Sequence, residues 1–370
     1  MRWAESSSTK TPAWPRAAAA DPGNPGASYD ARMSSPSSPS LDTPYAGLTP
    51  EAVLDALDSV GLRGDGRLIQ LNSYENRVFQ VFLEDGSVVV PKFYRPGRWT
   101  DEQILEEHAF ARELHEAEIP VAAPLELDGG GTLARFDVDG QTYRFGVAAR
   151  RSGRAPELED PAVLEWIGRF IGRIHAVGAT RPFEHRLHLD IATYGTGPRD
   201  WLLGSELLPL DAESTWKQAV DAALEQVQRR FDEVGTLRTL RLHGDCHTGN
   251  VLWTEAGPHF VDLDDALTGP AVQDFWMLLS GEPVAMRRQL DSLLAGYEDF
   301  MEFDWRELRL IEALRTLRMI HYSAWIARRW NDPAFPVAFP WFGGRGYWNE
   351  QATRLLDQAE TLKESSSAGH

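Results

Sequence analysis

The stretch that decides the fold is Leu242–Trp253, LHGDCHTGNVLW, which is followed after a Gly-Pro turn by Phe260–Asp265, FVDLDD. It contains one acid, Asp245, then the amide side chain of Asn250, and further acids about a dozen residues beyond it. A carboxylate, an amide and a second carboxylate at this spacing suit a site that binds Mg²⁺ beside an activated hydroxyl group. Phosphoryl transfer is therefore the leading hypothesis.

The chemistry assigns a role to each of these side chains. Mg²⁺ prefers hard oxygen ligands and usually takes only one or two carboxylates from the protein, so Asn250 and one acid of FVDLDD could supply them. On the strand that we predict for FVDLDD, Asp262 and Asp264 would point to the same face and compete for the metal, and we choose Asp262. Asp245 is the candidate proton acceptor for the hydroxyl group.

Two other interpretations of this region remain open. His243, Asp245, Cys246 and His247 could form a structural or hydrolytic metal site together with the acidic strand FVDLDD, because histidine and cysteine bind zinc well. The region could also be a solvated acidic turn beside an ordinary hairpin, with His243 bonded to backbone carbonyl groups.

The upstream half of the chain favours phosphoryl transfer. Ser87–Tyr94 is a β-branched run that predicts a strand carrying a single lysine, Lys92, and Thr100–Ala117 predicts a helix that begins with a capping box. On that helix Glu107 shares the apolar face, where a charge needs a partner. Lys92 is the expected partner, and Glu106 is the alternative to Glu107. A strand lysine held by a helix glutamate is the arrangement with which protein kinases contact ATP phosphates.

The phosphate-covering loop has to be of an unusual kind. The chain contains neither G-x-G-x-x-G nor G-x-x-x-x-G-K-[ST], which argues against a Rossmann dinucleotide site and a P-loop. Ser73–Asn76 lies between two short strand-like runs, Leu68–Leu71 and Val78–Phe82. It therefore predicts a hairpin tip whose hydroxyl and amide groups can face a phosphate.

Taken together, several motifs resemble the bacterial stress response kinase A family, a branch of the aminoglycoside-phosphotransferase-like kinases. The similarity runs from about Leu48 to Trp348. It is carried, in chain order, by Leu71–Val78, Lys92–Pro96, Ile104–His108, His243–Trp253, Asp262–Gln273 and Arg328–Pro336.

The resemblance implies an α+β, bilobal protein-kinase-like fold, with an antiparallel N-lobe sheet plus a helix and a larger, mainly helical C-lobe. It also implies an ATP- and Mg²⁺-dependent serine/threonine protein kinase of a stress response. In that family's terms Asp245 is the proton acceptor, Asn250 and Asp262 are the magnesium ligands, and Ser73, Lys92 and Glu107 serve ATP binding.

One residue departs from the family. Pro91 stands where an aliphatic residue precedes the lysine, and because proline removes a ladder donor it leaves the register of Lys92 open. A pseudokinase that binds nucleotide without turnover therefore stays among the alternatives. So does a kinase of the same fold that acts on a small alcohol or amine, because both share the core motifs.

The chain divides into three parts. Residues 1–45 are rich in Ser, Pro, Ala and Gly, a composition that predicts a disordered tail. The resemblance implies a nucleotide-binding N-lobe over residues 46–150 and a C-lobe with the catalytic loop and the metal site over residues 151–365. The aromatic segment Trp325–Trp348 is expected to cover the second lobe, and His175 to be a hydrogen-bonded helix residue.

Net charge and apolar content limit the classes of partner that the chain can have. The formal net charge of −18 disfavours nucleic acid and anionic membranes and would attract a basic protein substrate. No apolar run approaches the ~18 residues of a membrane helix, and Cys246 is the only cysteine. We expect a cytoplasmic protein; its oligomeric state is open, with a monomer as the expectation.

Overall fold

The computed structural model describes residues 43–367, with side chains described up to residue 364. The tail predicted for residues 1–45 lies almost entirely outside the described residues. Within the described part, no helix is both long and apolar enough to span a membrane.

The N-terminal part is a five-stranded antiparallel sheet with two helices. Its elements are α1 Pro50–Asp58, β1 Gly64–Leu71, β2 Arg77–Leu83, β3 Val88–Phe93, α2 Asp101–Glu116, β4 Ala134–Val138 and β5 Gln141–Ala149. The strand order is β1-β2-β3-β5-β4, so β3 lies in the centre of the sheet. Buried aromatic and aliphatic side chains of α1 and the sheet form one core, and they include Val53, Leu57, Phe79, Phe93 and Phe145.

Pro91 lies inside the central strand without shifting it. Lys92 pairs with Val78 of β2, and Val89 pairs with Val81, which is the same register on both sides of the proline. Lys92 also faces Gly146 in an unbroken ladder with β5. The register that the sequence left open is therefore fixed by two neighbouring strands.

Helix α2 has the predicted start and the predicted face. Thr100 and Gln103 form the reciprocal capping box. Glu107 is buried on the same helix as Ile104, Ala111 and Leu114. A charge in that position requires a partner across the helix–sheet boundary.

The C-terminal part is mainly helical and carries two short strand pairs, β6 with β9 and β7 with β8. Its elements are α3 Pro161–Gly178, α4 Gly197–Leu203, α5 Leu210–Val234, β6 Leu240–Leu242, β7 Val251–Thr254, β8 Gly257–Phe260, β9 Leu267–Gly269, α6 Gln273–Trp276, α7 Pro283–Tyr297, α8 Ile311–Ala327, α9 Ala334–Ala338 and α10 Arg345–Ser367. The predicted fold class, an antiparallel sheet followed by a larger helical part, is confirmed.

Two packing predictions for the helical part are also confirmed. Phe335, Phe339 and Trp348 of the aromatic segment are buried in a core that includes α5 and α8. His175 is fully buried and bonds to the Tyr297 hydroxyl at 3.1 Å and to the Asp274 carboxylate at 3.0 Å.

Helices α3 and α7 pack backbone against backbone. A Cβ placed on Gly168 of α3 would lie 1.9 Å from the carbonyl oxygen of Leu293, and one on Gly296 of α7 would lie 1.9 Å from that of Glu165. These distances are too short for any side chain. The two helices can therefore approach this closely only because both crossing positions are glycine.

We predict that Gly168→Ala lowers the free energy of unfolding by about 1–3 kcal/mol, because the helices must separate to admit the methyl group. Denaturant unfolding measures the change. Gly346→Ala on α10, where an added Cβ meets nothing within 4 Å, is the matched control and should be neutral or slightly stabilising. Equal stability of the Gly168 variant and the wild type would contradict this packing.

Candidate active site

The loop after β6 is held by a buried carboxylate that the sequence analysis did not single out. Asp274 accepts hydrogen bonds from the backbone N–H groups of His243 and Gly244, each at 2.8 Å. Gly244 has a φ of 84°, and a Cβ there would lie 2.2 Å from the carbonyl oxygen of Asp265. Only glycine fits this turn, which directs the next residue, Asp245, away from the strand.

Asp274 is in turn positioned by a second buried acid. Glu307, 2 % exposed, accepts the N–H of Val272 at 2.8 Å, at the start of helix α6 that carries Asp274. Burial raises the pKa of Glu307 to about 7, and this effect is larger than that of the backbone hydrogen bonds, which lower the pKa. The loop geometry thus depends on two carboxylates in succession.

Asp245 is surrounded by donors. The Asn250 side chain donates from Nδ2 to the Asp245 carbonyl oxygen at 3.0 Å. Arg318 of α8 forms an ion pair with the carboxylate at 2.8 Å, and His247 lies 3.4 Å away. Although burial works in the opposite direction, Arg318 and His247 hold the pKa of Asp245 well below its ordinary value. The carboxylate is therefore ionised at neutral pH.

The predicted strand through Asp262 and Asp264 is wrong. Strand β8 ends at Phe260, Asp262 adopts a left-handed conformation with a φ of 60°, and Leu263–Asp265 forms a 3₁₀ turn. The two acids therefore do not share one face. The alternation Val-Asp-Leu-Asp is typical of a half-buried strand, but here it belongs to a turn in which both carboxylates lie near Lys92.

The turn gives the two acids different surroundings. Asp264 is 3 % exposed and accepts hydrogen bonds from Asn76 at 3.1 Å and from Arg98 at 2.7 Å. Although burial alone would raise it, Lys92 and Arg98 keep the pKa of Asp264 below its ordinary value. The Asp262 side chain is 56 % exposed, and the nearest cation is Lys92 at 4.0 Å.

Lys92 joins the N-terminal sheet to this acidic turn. Its Nζ lies 3.6 Å from Glu107 and 3.4 Å from Asp264. Burial opposes the charged form, but these carboxylates outweigh it and raise the pKa of Lys92 well above its ordinary value. Glu106 lies elsewhere, because it accepts backbone N–H groups of Glu184, His185 and Arg186. The predicted partner of Lys92 is thus Glu107, and not Glu106.

The loop between β1 and β2 is the predicted hairpin tip. The Ser73 hydroxyl accepts the Asn76 N–H at 3.3 Å. Glu75 ties the loop to the far end of the chain, because it accepts from the Trp325 indole at 2.6 Å and pairs with Arg329 at 2.7 Å.

The surroundings of the loop histidines and cysteine argue against the zinc-type alternative. Cys246 is fully buried in the hydrophobic core of the helical part. The Nε2 atom of His243 forms a hydrogen bond with the Val261 carbonyl oxygen at 3.0 Å. Among the residues that the structure describes, no cluster of three or more His, Cys, Asp and Glu side chains is arranged to hold a metal ion.

Two side chains on neighbouring segments, Asn250 and Asp262, carry hard oxygen atoms. Asn250 is joined to the acidic turn by the Val261 N–H, which donates to the Asn250 carbonyl at 3.0 Å. Its side chain donates through Nδ2, which leaves Oδ1 as an acceptor, and Asp262 follows Val261 directly. This donor set suits Mg²⁺ rather than zinc.

Sequence reasoning missed three residues that shape this site: Asp274, Arg98 and Arg318. Arg98 follows a Pro-Gly turn and pairs with both Asp264 and Asp265. Arg318 lies on a helix far along the chain and has no local signal. For Asp274, the signal available was an acid on a short helix next to apolar residues, where a buried charge needs partners.

Comparison with known proteins agrees with this geometry. Residues 67–311 match the model of the phosphotransferase enzyme family. Stress response kinase A of Salmonella choleraesuis is 46 % identical over 322 residues, covering 86 % of this chain and 95 % of that protein. The serine/threonine protein kinase RdoA of Salmonella typhimurium is 45 % identical over the same length, with the same coverage.

The fold is shared more widely. A structure of an amicoumacin kinase in complex with AMP-PNP, Ca²⁺ and its ligand superposes with a TM-score of 0.65 at 17 % identity, covering 85 % of this chain and 93 % of that one. At this identity the likeness concerns the fold alone.

We predict that Glu307→Gln stabilises the protein at pH 8 and has little effect near pH 5. Because the native pKa of about 7 lies above the ordinary 4.5, the native state binds the proton more tightly than the unfolded chain does. The wild type therefore loses up to about 3 kcal/mol as the pH rises through this window, and glutamine removes that loss.

Denaturant unfolding at both pH values measures the difference. The exposed Glu302→Gln is the control, because it removes the same charge without changing a buried site. An equal effect of Glu307→Gln at the two pH values would show that Glu307 is ionised at no cost in the native state.

Proposed function

Because the chain belongs to the phosphotransferase enzyme family and, within it, to the stress response kinase A family, we propose that it is an ATP- and Mg²⁺-dependent serine/threonine protein kinase of a bacterial stress response. The observation that carries this proposal is that Lys92, which pairs with Glu107, also lies 4.0 Å from the exposed carboxylate of Asp262. A cation from the sheet and an anion from the helical part are what a nucleoside triphosphate with its metal requires.

On the nucleotide side, Lys92 would hold the α- and β-phosphates. Glu107 and Asp264 fix its ammonium group from the protein side, so the lysine does not have to be ordered when ATP arrives. Ser73, at the tip of the β1–β2 hairpin, would contact the phosphates from above. We propose residues 46–150 as the nucleotide-binding lobe and 151–365 as the lobe that carries the catalytic loop.

Asn250 and Asp262 would be the ligands of the metal. Mg²⁺ bound there would neutralise charge on the phosphates during transfer. Asp262 suits the role better than Asp264, because the carboxylate of Asp264 is already occupied by Asn76 and Arg98.

Asp245 would orient the acceptor hydroxyl and take its proton. A low pKa makes it a weak base, which is adequate because proton transfer is late when the transition state is loose. Arg318, now paired with this carboxylate, would have to share it with the hydroxyl.

A second candidate acceptor is a small alcohol. The amicoumacin kinase shares the fold, and the same machinery serves either acceptor. Membership of the stress response kinase A family favours protein. We also propose that the protein acts in the cytoplasm, which agrees with the lack of a membrane-spanning helix in the described residues.

We predict that the purified protein transfers labelled phosphate from ATP to itself or to a protein substrate, in preference to a panel of small alcohols, and only when Mg²⁺ or Mn²⁺ is present. Asp245→Asn should lower the transfer rate by at least about a hundredfold while Mg-ATP still binds, because Asn250 and Asp262 remain. Transfer to a small alcohol alone would refute the protein acceptor. A joint loss of transfer, nucleotide binding and melting temperature would make Asp245 a structural acid.

We predict that Lys92→Ala removes most of the activity and that Glu107→Gln removes part of it, chiefly by raising KM for ATP, because the lysine loses a partner that positions it. Steady-state kinetics with varied ATP measure both. Glu102→Gln, an exposed residue of the same helix, is the control for the loss of one negative charge. Full activity of Lys92→Ala would show that another cation contacts the phosphates.

A further inference from the structure

A cleft opens beside the candidate active site, between the turn after β3 and the end of α8. Its volume is about 750 Å³. Four arginines, Arg95, Arg98, Arg328 and Arg329, and only one carboxylate, Asp265, line it. Such a lining is unusual for a chain with a formal net charge of −18.

The cleft adjoins Asp245. Tyr194 lines it, and after burial the charges that raise the pKa of this phenol most are those of Asp265 and Asp245. Helix α8 runs along the same side, because Arg318 contacts Asp245 and His321 and Trp325 line the cleft further along. The cleft therefore lies where an acceptor molecule would extend from the reacting hydroxyl.

The positive charge of this cleft is only partly neutralised. Arg95 pairs with Glu75 and Asp332, and Arg98 pairs with Asp264 and Asp265. Arg328, by contrast, is exposed, stacks on Trp201 at 5.2 Å and makes no ion pair with any of the residues from 43 to 364.

Two neighbouring groups show the same excess of positive charge. The Nε of Arg329 is buried without a hydrogen-bond partner among the described residues, although its NH2 group reaches Glu75. Burial together with Arg318, Arg328 and Arg329 lowers the pKa of His321 to about 3. The cleft thus contains one free guanidinium and one partly satisfied guanidinium, with aromatic rings beside them.

We propose that this cleft selects acceptors that carry an anionic group, a carboxylate or a phosphate, on the part that extends from the reacting hydroxyl along α8, and that Arg328 binds it. A guanidinium presents a fork of donors that matches both anions. The proposal rests on the proposed kinase function and names its substrate class. It reverses the expectation drawn from net charge, because the field inside a cleft is set by the groups that line it.

Peptides with one serine, flanked by acidic, neutral or basic residues and otherwise identical, test the proposal. The acidic peptides should have a KM at least tenfold lower than the basic ones, and Arg328→Glu should raise their KM at least tenfold, with kcat and the KM for ATP unchanged. A peptide with phosphoserine in place of the flanking acid distinguishes phosphate from carboxylate recognition. Arg288→Glu, an exposed arginine of α7 outside the cleft, is the matched control.

Calorimetric binding of the same peptides with alanine in place of serine needs no turnover. If the acidic peptides bind best and Arg328→Glu abolishes this preference, the anion selectivity of the cleft is supported even if no peptide is phosphorylated. In that case the proposed protein acceptor would be wrong, and small hydroxy acids would be the substrates to assay. Tighter binding of basic peptides, or an effect of Arg328→Glu no larger than that of Arg288→Glu, would overturn the anionic cleft.

Discussion

The buried carboxylate of Asp264 is the interaction on which the arrangement of the site depends. Three donors from the N-terminal part, Asn76, Lys92 and Arg98, converge on it. An ionised group that is 3 % exposed is tolerable only when it is fully paired, and the loss of any one partner would leave a costly uncompensated charge. These three contacts link the sheet to the helical part at the proposed phosphate site.

This pairing also separates two neighbouring acids into two tasks. Asp264 is buried and paired, whereas Asp262, with its left-handed backbone, has an exposed carboxylate. Both carboxylates lie near Lys92, at 4.0 Å for Asp262 and 3.4 Å for Asp264, but only Asp264 also accepts hydrogen bonds from Asn76 and Arg98. The strained backbone conformation of one residue thus separates a structural acid from an open one.

Local signals in the sequence predicted much of the fold. The capping box of α2, the buried position of Glu107 and the hairpin around Ser73 each depend on residues within a few positions of one another. What the sequence could not show are contacts between distant segments. Arg98 meets Asp264 across 166 residues, and Trp325 meets Glu75 across 250. The sequence predicts a strand at Asp262 because an alternation of apolar and acidic residues is compatible with a half-buried strand and with this turn. The contacts of Asp264 with distant residues distinguish the two structures, and the sequence does not show them.

The contacts of Glu75 connect the loop over the proposed phosphate site with the arginine-rich cleft. Glu75 belongs to the loop over the proposed phosphate site, yet its partners Trp325 and Arg329 line the arginine-rich cleft. Arg98 also connects the two regions, because it pairs with Asp264 of the acidic turn and lines the arginine-rich cleft. The chain as a whole is strongly acidic. Near the site, however, acidic side chains such as Glu75, Asp264 and Asp332 form ion pairs with arginines of the same chain. Among the described residues that line the cleft, the one charged side chain without an ion-pair partner is Arg328, so the net charge of the chain does not determine the sign of the charge there.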